Sequence, residues 1–418
     1  MKKLAGIADY NRIPAFSVSE NAKVLLRYEY IERRLVRMMA GWMAGVKEWE
    51  AKLLLGRMVW EDAVHATDLR SRILELRTGS RALERCPDPH LELMLEEALL
   101  AEDSLAFLSG LIVIKQHLLA AYRKHLTQTQ PLVDQPTTRL LSILIMEVGH
   151  QLEELESIIA MWIDDSNAGQ LNQWQQTIEA LIHAAAGIQG LDPVVYNVKS
   201  ETLRAGKGTK FTISKTYGLD SRFVLTQPYR YSPEQKPDTA DPDALQRGMG
   251  LARFYEMQAA LGIATSIYEN DGMPWEYYST LARHLWDEIR HCAMGQGLIE
   301  SLGMDFTKVP HWTGNYEFYT TLTPQERYIR LGVIIELEAM ESGTKKAEYE
   351  FCRKNGFELA ETFQDYDWAD EVNHVEWARR WVQYMVGGDQ ELLEQKVAEV
   401  KKKYAEFKKP WEEQGNIF

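Results

Sequence analysis

Two short segments constrain this chain more than any other feature: Trp286-Asp287-Glu288-Ile289-Arg290-His291 and Ala369-Asp370-Glu371-Val372-Asn373-His374. Each sets a Glu three positions before a His and an Asp directly before the Glu. On a helix, residues three apart share a face about 60° wide, so each pair can offer an oxygen and a nitrogen to one ion. The pairing alone is weak. With 61 acidic residues in 418 positions, ten histidines should meet an acid at that spacing once or twice by chance, and four do: Asp62/His65, Glu147/His150, Glu288/His291 and Glu371/His374.

Position along the chain decides between chance and design. Helical periodicity runs over residues 244–407 with breaks at Asn270-Asp271-Gly272-Met273-Pro274, over 303–323 and at Asn355-Gly356, which reads as four main helices. Glu256 lies 14 residues before Asn270 and Glu288 lies 14 after Pro274. At about 1.5 Å of rise per residue, both sit about 21 Å from one turn. Glu338 lies 17 before Asn355 and Glu371 lies 15 after Gly356, so a second hairpin also brings its carboxylates to nearly one level. The separations agree, 32 residues from Glu256 to Glu288 and 33 from Glu338 to Glu371.

Two such hairpins packed together gather four carboxylates and two imidazoles in one core, with two helices giving a Glu and two giving Glu-x-x-His. Left alone, buried carboxylates repel one another and are costly to desolvate, and two divalent metals remove that cost. Oxygen and imidazole donors suit iron, with manganese as the alternative. The expected ligands are therefore Glu256, Glu288, His291, Glu338, Glu371 and His374. Asp287 and Asp370 are expected to accept the second ring proton of a ligand His, with Arg290 paired to one of them. On the third helix Glu336 and Glu341 are alternatives to Glu338, and Glu341 reads as an extra ligand or an outer partner. His284 and His311 follow no acid by three positions and are expected outside the centre. Without metal, the four carboxylates are expected to shift upward in pKa. Ala259, Gly262, Ala339, Ser342 and Gly343 read either as a small cavity for dioxygen or substrate, or as close helix packing.

On these residues, the stretch 244–390 resembles the ferritin-like superfamily, in particular its rubrerythrin-type and tRNA-hydroxylase-type members and a related bacterial group with the same Asp-Glu-x-x-His pairs. The resemblance implies a di-iron carboxylate bundle. The expected function is an oxidoreductase that activates dioxygen to oxidise or hydroxylate a small molecule, supplied by an electron donor. The alternatives are a ferroxidase, peroxidase or iron-handling protein using the same centre, and a metal-free helical scaffold for partner binding.

The first half echoes this plan over residues 21–165, with breaks at 41–45, 85–89 and 127–136. Glu29 precedes Asp62/His65 by 33 and Glu147/His150 follows, but the position 33 before Glu147 is Ile114. Glu97 and Glu102 are the nearby acids, at a mismatched level, and His117 is a divergent candidate. The reading is a degenerate bundle, with a second working site formed by Glu29, Asp62, His65, Glu147 and His150 as the alternative. Residues 209–231 read as a short hairpin about Gly218-Leu219-Asp220, and the Pro-rich stretch 232–243 as a linker. The expected fold is thus all-α, two ferritin-like four-helix bundles in tandem: 1–190, a hairpin and linker at 191–243, and the metal-bearing bundle with a C-terminal helix at 244–418.

Composition narrows the partners. A formal net charge of −14 disfavours a nucleic-acid backbone, and the run Lys401-Lys402-Lys403 with Lys408-Lys409, interspersed with Glu399 and Glu406, reads as a solvated helix face. Three cysteines without metal-type spacing, and no apolar run of about 20 residues, lead to the expectation of a cytoplasmic protein without a membrane span. A homodimer is compatible with this reading.

Overall fold

A computed structural model describes residues 3–194, 198–225, 241–337, 340 and 343–413, apart from the side chains at 336, 337 and 411. The fold is all-α. It divides into two compact units, the first comprising 1–42 and 58–212, the second 43–57 and 213–418.

The first unit contains α1 (Val18–Met43), most of α2 (Trp49–Glu75), α3 (Pro89–Leu99), α4 (Ser104–Gln128), α5 (Gln135–Ala160) and α6 (Ala168–Ala184). The chain marks several helix starts chemically. Asp88 accepts a bond from the His90 N–H with Pro89 at the first helical position, and Asp103 accepts from the Ala106 N–H. That second cap explains a difference from the sequence reading: the third expected helix is two helices, α3 and α4. Helix α4 is long and apolar enough to cross a membrane by length and composition, which the sequence reading did not anticipate. It is mostly buried within the unit, and Lys115 at its middle is ion-paired, the pattern of a core helix.

The second unit contains β1 (Val224–Leu225), α7 (Pro242–Phe254), α8 (Met257–Glu269), α9 (Trp275–Ser301), β2 (Pro310–His311), α10 (Gly314–Tyr319), α11 (Pro324–Ile329), a π-helical turn (Arg330–Leu337), α12 (Thr344–Asn355), α13 (Glu358–Met385) and α14 (Gln390–Glu412). Helix α9 packs on α7, α8 and α13, while α12 and the π-helical turn pack on α13. Thr323 and Glu326 form a capping box at the start of α11, and Gly356 at φ 73° ends α12 in the left-handed region that glycine adopts at little cost. Lys403 pairs with Glu326 at 2.6 Å and Lys408 with Glu412 at 3.0 Å, so much of the late basic run is already neutralised.

The unit boundaries differ from those read in the sequence. Residues 43–57 join the second unit because Trp49 packs on Phe223 and Phe254, the buried Lys52 ammonium donates to the Gly218 carbonyl at 2.8 Å, and the Gly218 N–H donates to the Ala44 carbonyl at 2.7 Å. The segment before residue 213 joins the first unit through the Arg204 and Ala205 N–H groups, which donate to the Glu97 carboxylate. The expected hairpin also reads differently. Its first arm, residues 209–217, carries no strand, and Val224–Leu225 pairs in parallel with Pro310–His311 instead of with that arm; residues 226–231, and the linker up to residue 240, lie outside the described residues.

Candidate metal centre

Each motif helix carries its acid and histidine on the face turned to the other, so α9 and α13 deliver Glu288, His291, Glu371 and His374 to one buried place. Glu256 arrives from a break in the first expected helix, where it follows Tyr255 between α7 and α8. The π-helical turn leads toward the third-helix acids. Such turns inside helices recur at functional sites. Glu338, Glu341, Ala339, Ser342 and the Glu336 side chain lie outside the described residues.

Two adjoining groups of ligand-type atoms result. Glu256, His291, Asp367 and Glu371 form one, and His284, Glu288 and His374 the other, each with its atoms within 4.8 Å of one another. His291 Nδ1 faces Glu256 Oε2 at 3.2 Å and Asp367 Oδ1 at 3.3 Å. His374 Nδ1 faces Glu288 Oε1 at 3.3 Å and Glu371 Oε2 at 3.7 Å, so Glu371 stands between the groups. His284 Nε2 lies 3.6 Å from Glu288 Oε1, and its ring is tilted on that of His374 with centroids 4.0 Å apart.

The Asp residues work crosswise. His291 Nε2 bonds Asp370 Oδ2 at 3.2 Å, and His374 Nε2 bonds Asp287 Oδ2 at 3.3 Å. Arg290 ties the arrangement by donating to Asp287 and, at 2.8 Å, to Asp370. Against its burial, His374 and Arg290 hold the Asp287 carboxyl down to about 2. With Nε2 directed to a carboxylate, each ring turns Nδ1 to the interior.

Whether a metal suits these residues is tested by what they lack. His291 Nδ1, His374 Nδ1, Glu256 Oε2 and Glu371 Oε2 are buried without a hydrogen-bond partner, although they face one another. Buried polar atoms are rarely left so, and atoms that converge on a common point while failing to bond each other fit a cation between them.

Side-chain cations also contact the carboxylates. Lys345 Nζ contacts Asp367 at 2.9 Å and Glu371 at 2.8 Å, and Arg253 contacts Glu256 at 2.7 Å and Asp367 at 2.8 Å. Burial alone would raise the carboxyls, but Lys345 and His374 hold Glu371 well below its ordinary value, and His284 and His374 hold Glu288 low. This corrects the expectation of an upward shift for these two. Against burial, Asp367 and Asp370 raise His291 to about 10, and Asp287 and Glu288 raise His374.

Two of the clustered residues, His284 and Asp367, lie outside the three-residue spacing of the motif. His284 precedes Glu288 by four and Asp367 precedes Glu371 by four, so the full repeats are His284-x-x-x-Glu288-x-x-His291 and Asp367-x-x-x-Glu371-x-x-His374. Residues four apart lie one turn away on the same face. His311 does lie elsewhere, bonded to the Tyr217 hydroxyl at 3.0 Å. Gly262 fits the packing alternative, since a Cβ there would meet Leu331 and Tyr319 at 3.0 Å.

The first unit assembles a different set. Glu29 is held by Arg33 and Arg70, and His150 is exposed. Glu32 instead faces His65 Nδ1 at 3.3 Å and accepts from the Tyr122 hydroxyl at 2.7 Å, while His65 Nε2 meets Glu147 at 2.7 Å. Lys115 contacts both Asp62 oxygens, at 2.5 and 2.6 Å, and lies 3.5 Å from Glu32. Glu32, Asp62 and His65 also offer ligand atoms within 4.8 Å of one another, with the Lys115 ammonium beside them. His117 lies by His183 and Glu179. At the motif positions where the second unit has His284 and Asp367, this half has Met58 and Ile143. Replacing His65 and His150 together by Ala is accordingly expected to leave bound metal per chain unchanged by elemental analysis, whereas loss of half would reveal a second site.

Comparison of the chain with protein-family models, with curated proteins and with solved structures found no match.

Proposed function

We propose that this chain is a ferritin-like di-iron carboxylate oxidoreductase, with two four-helix bundles in tandem, which uses dioxygen and an electron donor to oxidise or hydroxylate a small molecule in the cytoplasm. Manganese is the alternative metal. The observation that carries the reading is the set of buried ligand atoms on Glu256, His291, Glu371 and His374 that face one another without hydrogen bonds. The tandem arrangement is supported by the recurrence of the plan in α1, α2 and α5, where Glu32, Asp62, His65 and Glu147 meet. A net charge of −14 argues against nucleic acid as substrate.

When bound, the two metal ions would supply the electron chemistry. The chain's own residues fix the donors. Asp370 and Asp287 orient the His291 and His374 rings by accepting their Nε2 protons, and Arg290 fixes both acids. Glu371 can serve both groups at once. Burial of Asp287, Glu288, His291, Asp370, Glu371 and His374 keeps bulk water from the centre.

Elemental analysis after purification without chelator, followed by anaerobic ferrous titration and then air, tests the reading. Iron binding should saturate at two per chain, with dioxygen consumed in proportion to bound iron. Uptake far beyond two would favour iron handling, and a chain that neither carries nor takes up metal would favour the scaffold.

A further inference from the structure

The two ligand groups differ in chemistry and in what neutralises them. One offers two imidazoles and a carboxylate, from His284, His374 and Glu288; the other offers one imidazole and three carboxylates, from His291, Glu256, Asp367 and Glu371. The carboxylate-rich group is already neutralised by Lys345, on Asp367 and Glu371, and by Arg253, on Glu256 and Asp367. A metal entering there must displace an ammonium that is 2.8–3.0 Å from its oxygens. By contrast, no Lys or Arg among the described residues ion-pairs with Glu288, which faces imidazoles. The fully buried His374 Nδ1 points at it from 3.3 Å without a hydrogen bond.

We infer that the centre is asymmetric and loads in order: a divalent transition metal first occupies the position built from His284, Glu288 and His374, and a second enters the carboxylate-rich position by displacing Lys345. The inference rests on the dinuclear reading above but adds His284 as a ligand and Lys345 as an internal competitor. Two histidines and one carboxylate form a set that holds ferrous iron while leaving coordination positions open. The chain therefore passes through a one-metal state with a defined address.

Titrating the full-length, metal-free chain with cobalt(II), followed by calorimetry and by paramagnetically shifted imidazole N–H signals, tests this. Two steps should appear, separated by about tenfold or more in Kd. The first equivalent should shift the ring N–H signals of two histidines, and the second should add one more. His284→Ala should remove the tighter step and keep the other, and Lys345→Met should strengthen the weaker step. The spectral readout on the unmodified chain stands even if a variant fails to fold. One shifted ring at the first equivalent, equal steps, or an unchanged tight step in His284→Ala would overturn the order while leaving a dinuclear centre intact. Absence of cobalt binding would overturn both.

Discussion

Replacing His291 and His374 together by Ala is expected to abolish stoichiometric binding of ferrous or manganous ion, and with it the rise in unfolding midpoint that metal gives the unmodified chain. Each Nδ1 is buried, has no hydrogen-bond partner, and faces carboxylate oxygens of Glu256, Glu288 or Glu371 at 3.2–3.7 Å. A metal present at about a thousand times its Kd stabilises the folded state by about 4 kcal/mol, which for a unit of this size is a shift of about 10 °C. His311→Ala is the appropriate control, since that ring bonds Tyr217 and faces no ligand. His284, lacking an acid three positions before it, would have been a misleading one. If the double variant still holds two metals per chain with an undiminished midpoint shift, the centre is not where these residues meet.

The same measurement carries a pH dependence. The folded-state pKa of His291 is raised from 6.5 to about 10, so in the metal-free chain its contribution is complete below 6.5 and is lost as the pH climbs toward 10. Glu288 and Glu371 are lowered, so theirs is present above about 4.5 and fails as the pH falls below that. Metal-free protein should thus be most stable between these limits. Binding metal must expel the imidazole protons, and affinity should rise with pH. The gap between loaded and metal-free midpoints should therefore widen from pH 6 to pH 9, and a constant gap would mean the histidines are not ligands.

These details show where sequence is informative and where it falls silent. Counting residues from two turns predicts Glu256 and Glu288 at one level, because helical rise is fixed, but the helix breaks at 255–256 and Glu256 comes against His291, three residues beyond Glu288; the three-residue spacing picks out His291 and His374. That spacing leaves out His284 and Asp367, which stand four residues before Glu288 and Glu371 on the two motif helices. The crosswise pairing of Asp287 with His374 and Asp370 with His291 depends on how α9 and α13 face each other, which spacing within one helix does not encode. In the first unit a separation of 33 fits Glu29 with Asp62 and Glu32 with His65 equally well. Only the capture of Glu29 by Arg33 and Arg70 decides between them. Their place in the chain puts residues 43–57 with the first unit, whereas Trp49 and Lys52 are committed to aromatic and backbone partners beyond residue 213.

Lys115 is where the first unit should prove most sensitive. Its ammonium is fully buried and contacts both oxygens of Asp62, with Glu32 at 3.5 Å, and no other Lys or Arg among the described residues pairs with either acid. Lys115 and His65 pull Glu32 down to about 2 against its burial, burial and Glu32 push Asp62 up to about 7, and Asp62 and Glu32 in turn raise Lys115. Removing the ammonium while keeping the acids leaves buried negative charge with His65 as the remaining neighbouring cation, so Lys115→Met is expected to cost about 3–5 kcal/mol. Removing charge from both sides should cost far less, because an apolar pair of similar volume has nothing to desolvate. The combination Lys115→Met with Asp62→Leu should therefore recover more than half the loss in urea unfolding. Were Lys115 only a packing element, both variants would fall together and the combination would be the less stable. Recovery would establish that the first unit holds Lys115 for its charge and not for its packing.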